Sequence, residues 1–103
     1  MSTTKEYLSY AAEQLSDLKE ISFRPMMGEY VLYYKGKVAG VLSDNRLLIK
    51  PVKTAVEMTD NPVFEIPYPG AKPMLLVERL DDKEFLTELL LAMYDELPEK
   101  RKK

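Results

Sequence analysis

The sequence contains no cysteine and no histidine among its 103 residues. Without a thiolate or an imidazole, the chain offers no Cys or His ligand for zinc and cannot build Cys–His or Ser–His–Asp catalysis. It has only four glycines, and neither a phosphate-binding glycine-rich loop nor a dinucleotide fingerprint is present. These absences predict a protein that is not an enzyme and that holds no metal and no cofactor.

Targeting and membrane segments are also missing from the sequence. The N-terminus has no apolar core of the kind that a signal peptide needs, and no stretch approaches the roughly 18 apolar residues of a membrane span. The absence of cysteine fits a reducing compartment. We therefore expect a soluble, cytoplasmic protein. Its 46% hydrophobic and 31% charged residues predict one folded domain over residues 1–98, with a basic tail at 99–103.

Charge is unevenly distributed along the chain. The net charge is −2 and the isoelectric point is about 5.2, whereas nucleic-acid-binding domains typically exceed ~9. Residues 21–59 nevertheless carry six basic and three acidic side chains, and residues 81–98 carry six acidic side chains and one lysine. Direct nucleic-acid binding is therefore disfavoured, but the basic middle of the chain keeps it as an alternative.

Hydrophobic periodicity and turn residues predict a two-layer α+β fold. The pattern predicts helices over residues 4–18 and 82–97, a short helix or turn at 52–59, and strands at 21–27, 29–35, 37–43, 46–50 and 73–78. The prolines of residues 63–73 predict a rigid, extended loop, because proline lacks the amide that a central strand donates. The order is α-β-β-β-β-α-β-α, with flanking N- and C-terminal helices on an antiparallel sheet of about five strands. In the fourth strand, Leu47 and Ile49 predict a buried face, and Leu48 falls on a partly solvated one.

Aromatic and basic side chains lie close together in the predicted strands. Such a mixture stacks bases and tracks phosphates in nucleic-acid-binding proteins, although tyrosines are also ordinary strand residues that are partly core. Met26 and Met27, which precede Gly28, form either an adaptable contact surface or core filling beside a glycine bend. The candidate interaction surface consists of Arg24, Met27, Tyr30, Tyr33, Tyr34, Arg46, Lys50, Tyr68 and Lys72.

Two further features have both a functional and a structural interpretation. The proline-rich segment that carries Tyr68 and Lys72 is typical of a binding loop, and it serves equally well as a stiff connector. Glu84 and Glu88 lie one turn apart on the last predicted helix. They form either a carboxylate pair for acid–base chemistry or part of a solvated acidic face.

The segments FRPMMG at 23–28, YVLYYKGK at 30–37, DNRLLIKP at 44–51 and PYPG at 67–70, together with Gly40 and Met74, resemble the N-terminal domain of TfoX/Sxy competence regulators. The resemblance implies a bacterial cytoplasmic protein with a small α+β fold of the secretion-chaperone-like kind that tends to self-associate as a homodimer. It also implies positive regulation of competence genes together with a cyclic-AMP-responsive transcription activator. In those regulators a second, helical domain begins where this chain ends, so the resemblance implies a stand-alone N-terminal domain.

Three functions follow from these observations and remain open. The first is a non-enzymatic interaction domain that binds a transcription-regulatory protein. The second is direct nucleic-acid binding through the basic, tyrosine-rich strands. The third is small-ligand binding, or an enzymatic role, at the Tyr68 loop with Lys72.

Overall fold

The computed structural model describes residues 3–97. Within them the helices are α1 (Lys5–Gln14), α2 (Lys53–Met58) and α3 (Lys83–Met93), the last followed by a 3₁₀ turn, Tyr94–Glu96. The strands are β1 (Ile21–Met26), β2 (Glu29–Tyr34), β3 (Lys37–Leu42), β4 (Leu47–Ile49), β5 (Phe64–Glu65) and β6 (Met74–Leu76). The basic tail predicted at 99–103 lies outside the described residues.

All described strands form one antiparallel sheet in the order β1-β2-β3-β4-β6-β5. The first four strands follow one another as hairpins, and both central residues of each turn have positive φ: Met27 and Gly28, Lys35 and Gly36, Asp44 and Asn45. Tight turns of this kind match the right-handed twist of the flanking strands. The predicted α+β class, the antiparallel sheet and the flanking helices are confirmed.

The sheet has six strands rather than about five. The extra strand is β5, which lies in the segment predicted to be an extended loop and pairs with β6 at the edge of the sheet. Pro62 and Pro67 lie on either side of β5, so the residues between them keep the amides that pairing requires. Two helices are also shorter than predicted, since α1 ends at Gln14 and α3 gives way to the 3₁₀ turn after Met93.

The helices pack on one face of the sheet and bury the main core there. Leu15, Leu89 and Leu90 from the helical layer join Leu32 and Ile49 from the sheet in one cluster of fully buried side chains. Because successive strand residues point to opposite faces, the residues that alternate with this cluster point away from the helices.

Side-chain hydrogen bonds cap the N-termini of α1 and α3. Thr4 Oγ1 accepts a hydrogen bond from the Tyr7 N–H at 3.1 Å, at the start of α1. At the start of α3, the Phe85 N–H donates to Asp82 at 3.0 Å and Arg79 donates to the same carboxylate at 2.6 Å, which together hold the Asp82 pKa below its usual range. Thr4 and Asp82 each accept a hydrogen bond from an amide of the first helical turn. The Arg79–Asp82 bond pairs opposite charges beside the first turn of α3.

Candidate functional site

The sheet face that points away from the helices, which we call the open face, is apolar across its centre. The strand register aligns one row of side chains over β1, β2, β3, β4 and β6: Arg24, Val31, Val41, Leu48 and Leu76. The prediction that Leu48 lies on a partly solvated face is wrong, because its side chain is 0% exposed although it lies outside the helical core cluster. The outer face of a two-layer antiparallel sheet is ordinarily polar and solvated. The apolar row distinguishes the open face from such a surface.

A loop formed by residues 66–73, which we call the proline loop, runs over part of the open face. Ser43 Oγ donates a hydrogen bond to the Pro67 carbonyl oxygen at 2.8 Å, and both residues are buried. The loop then turns on itself, because the Ala71 N–H bonds to the Tyr68 carbonyl at 3.0 Å and Gly70 has a φ of +88°. The loop is therefore held against the sheet at Pro67 and presents Tyr68 at its bend.

A groove of about 440 Å³ lies between the proline loop and the strands. Its lining is mainly apolar: Met26, Val31, Val38, Val41, Pro51, Pro67, Tyr68, Ala71, Pro73 and Met74. The charged side chains in the lining are Lys50 and Lys72, and neither makes an ion pair or a side-chain hydrogen bond with any residue in 3–97. The groove is thus an apolar depression with positive charge at its margin.

The structure brings most of the predicted surface residues to this side of the sheet. Arg24 lies over the Tyr33 ring, with its guanidinium carbon 5.8 Å from the ring centroid, and Lys50, Tyr68 and Lys72 line the groove. Such cation–π contacts order an arginine side chain without neutralising its charge. The open face therefore combines aromatic and basic groups as the sequence suggested.

Met27 and Arg46 lie beside the groove, around an adjoining cavity that shares Tyr68 with it. Met27 is 97% exposed at the β1–β2 turn, so its core-filling interpretation is wrong. Arg46 forms an ion pair with Glu65 of β5 and donates a hydrogen bond to the Ser43 carbonyl oxygen at 3.2 Å. Its guanidinium therefore stabilises β5 next to the start of the proline loop.

Two predicted tyrosines do not lie on the open face. Tyr34 is 2% exposed in the helical core, where its ring meets that of Tyr94 edge to face with centroids 5.4 Å apart. Tyr30, four residues earlier on β2, is half-buried and packs against the same core. Period-two alternation along β2 separates these two rings from Tyr33, and this signal was present in the sequence.

The predicted carboxylate pair lies on the helical side of the molecule, whereas Glu29 and Asp44 line the cavity that adjoins the groove. Glu84 and Glu88 are exposed on α3, beside Arg79 and Phe85. Thr54 donates through its hydroxyl and its amide to Glu96, which lowers the pKa of that carboxyl and joins the 3₁₀ turn to α2. Within the described part of the chain, no three acidic side chains come together in a way that could hold a metal ion.

Burial raises the pKa of the Tyr7 phenol, which packs against the helical core and does not line the groove. No helix in residues 3–97 combines the length and the apolar character that crossing a membrane requires.

Comparison with known proteins places the chain in a family. The sequence model of the TfoX N-terminal domain matches residues 13–92, a range that includes the whole sheet and the proline loop. A protein of Spirochaeta aurantia, described as an uncharacterized 12.7 kDa protein in the trpE 5' region, is 40% identical over 72 residues. The match covers 70% of this chain and 63% of that protein, so the chain spans less than two thirds of the relative. No solved structure gives a significant match. The chain belongs to the TfoX N-terminal domain family.

Proposed function

We propose that this protein is a non-enzymatic interaction domain that binds a transcription-regulatory protein through the open face and the proline loop. The observation that carries the proposal is the apolar groove bordered by Lys50 and Lys72, because contiguous apolar surface rimmed by polar groups marks an interaction site. Membership of the TfoX N-terminal domain family supports a regulatory role of the competence type.

The composition of the groove favours binding over catalysis. Its lining includes no carboxylate, and the chain has no histidine or cysteine that could serve as base or nucleophile. The acidic pair on α3 lies on the opposite side of the sheet from Tyr68 and Lys72. The carboxylates nearest the proline loop, Glu29 and Asp44, line the adjoining cavity, and Glu29 already accepts hydrogen bonds from Thr3 and from the Asp44 N–H. The enzymatic alternative therefore has the least support of the three.

Nucleic-acid binding has less support from the geometry than from the sequence. Of the candidate groups for stacking and phosphate contact, Tyr34 is in the core, Tyr30 packs against the core, and Arg46 is engaged with Glu65. Tyr33 and Tyr68 remain on the open face, where Arg24, Lys50 and Lys72 are the few cations that could contact a phosphate backbone. Binding of single-stranded DNA at low salt, weakening steeply as salt rises, would instead favour this alternative.

The partner-binding proposal predicts a selective loss of partner when the groove floor is made polar. Tagged protein carrying both Val31→Ser and Val38→Ser should fail to retain, from the lysate of its own organism, the partner that the native protein retains. Removing apolar area from the contact should weaken it at least tenfold, since buried apolar area contributes about 25 cal/mol per Å². Mass spectrometry of the retained proteins is the measurement.

Leu91→Ser is the matched control, because it makes the same kind of change at an exposed position of α3. It should retain the partner as the native protein does. Equal recovery by all three proteins, or no protein above a bare-resin control, would contradict the proposal.

We also propose that the protein forms a homodimer. The β5 edge supports this, because Phe64 and Ile66 are 47% and 54% exposed beside an edge strand with unpaired backbone groups. Light scattering at high protein concentration should give a mass near twice 11.9 kDa for the native chain. Replacing Phe64 and Ile66 with lysine should restore the monomer mass. A native mass near 11.9 kDa at every concentration would exclude the dimer.

A further inference from the structure

Both charged side chains that line the groove are basic, although the protein as a whole has a net charge of −2. Lys50 and Lys72 border it without a carboxylate partner among the described residues, and Arg24 ends the apolar row on the same face. Isolated cations at the margin of an apolar depression attract an anionic group that brings apolar surface with it. The chemistry of the groove therefore indicates which partner the proposed interaction domain binds.

The opposite side of the molecule repels the same partner. Asp81, Glu84, Glu88 and Asp95 are exposed on and around α3. The basic residues beside them, Arg79 and Lys83, form ion pairs with Asp82 and Asp17. An acidic ligand is therefore steered away from the helical layer and towards the open face, since a charge distribution of this kind directs encounter.

The floor of the groove requires apolar side chains from the ligand. Val31 and Val38 line the groove and are half-buried, whereas Val41 lines it but is buried. A nucleic-acid backbone is polar and would leave this apolar floor exposed to solvent. A peptide that carries carboxylates and apolar side chains can cover the floor with its apolar side chains and pair its carboxylates with the lysines.

A second copy of this chain does not fit as the occupant. The acidic surface on α3 lies on the helical side, so seating that surface in the groove of another copy makes a head-to-tail contact, and the Glu29 carboxylate beside the groove already accepts hydrogen bonds from Thr3 and the Asp44 N–H. Contacts of that kind extend into open chains unless the rotation closes a ring, and they do not produce a two-fold dimer. The occupant is therefore a segment of a different protein.

Resting on the proposed function, we propose that the groove binds a short acidic segment of another protein, with apolar side chains spaced between its carboxylates. The apolar side chains lie on the floor formed by Val31 and Val38. The carboxylates pair with Lys50 and Lys72, and Arg24 extends the positive margin towards β1.

The test begins with selection from a library of random twelve-residue peptides displayed on phage, using the native protein as bait. The recovered peptides should be enriched in Asp and Glu and should carry Leu, Ile or Phe between them. Affinities of the labelled peptides are then measured by fluorescence polarisation. The Lys50→Gln, Lys72→Gln variant should bind at least tenfold more weakly, and native binding should weaken as salt rises because exposed charges are screened.

Glu84→Gln with Glu88→Gln is the matched control, since it removes two exposed charges from the opposite side. This variant should bind the peptides as the native protein does. Recovery of neutral or basic peptides, recovery of no peptide, or undiminished affinity in the lysine variant would each overturn the inference. Displacement of the peptide by an oligothymidylate would overturn it in favour of nucleic acid.

The outcomes separate this inference from the proposed function. Peptides without acidic preference that lose affinity with Val31→Ser and Val38→Ser would remove the acidic segment but leave the interaction surface in place. A negative peptide selection combined with a negative partner capture would remove both.

Discussion

Replacing Gly40 with alanine should destabilise the protein by about 3 kcal/mol, near the upper end of the usual cost of overpacking. Gly40 lies on β3, paired with Leu32 on one side and Ile49 on the other. A Cβ at this position would lie 2.9 Å from the Ile49 Cα and closer still to the Leu48 carbonyl oxygen. Both are backbone atoms of β4, so they cannot swing aside as a side chain can, and the strands themselves must separate.

Gly70→Ala is the matched control for the Gly40 substitution. No atom lies within 4 Å of a Cβ built at Gly70, so its cost comes from its φ of +88° alone. That cost should be about 1 kcal/mol, the penalty for an L-residue in a left-handed conformation. Urea unfolding followed by circular dichroism gives both free energies. If Gly40→Ala cost no more than Gly70→Ala, the close approach of β3 and β4 would be wrong.

The hairpins could be predicted from sequence because their determinants are local. Gly36, Asp44 and Asn45 are residues that tolerate positive φ, and the structure has positive φ at these three positions and at Lys35. The last helix was also predictable from its apolar spacing. The strand β5 could not be predicted in this way, because a strand of two residues has no periodic signal. It forms through its pairing with β6, which the local sequence does not reveal.

The open face could be predicted only in part, because it is assembled from distant segments. The sequence identified Arg24, Tyr33 and the loop residues Tyr68 and Lys72 as surface groups. It did not show that strand register would align Val31, Val41 and Leu48 on the outer face. Nor did it show that Pro67, about twenty residues after β4, would return to bond with Ser43 and cover that row.

Leu89→Ala should destabilise the protein by about 3 kcal/mol, whereas Leu91→Ala should change stability by less than about 0.5 kcal/mol. Both leucines belong to the Leu-Leu-Leu run of α3, so composition does not distinguish them. Leu89 is 0% exposed in the core cluster and Leu91 is 55% exposed. Truncating Leu89 leaves a cavity among packed side chains, but truncating Leu91 exposes little that was covered.

The comparison of these two leucines tests the orientation of α3 on the sheet. At 3.6 residues per turn, positions two apart lie about 200° apart around the helix axis, so the two side chains point in nearly opposite directions. Denaturant unfolding should give equal slopes for the two variants and a displaced midpoint for Leu89→Ala alone. Equal midpoints would mean that α3 is rotated about its axis. The acidic side chains Glu84 and Glu88 would then no longer face solvent on the side opposite the groove.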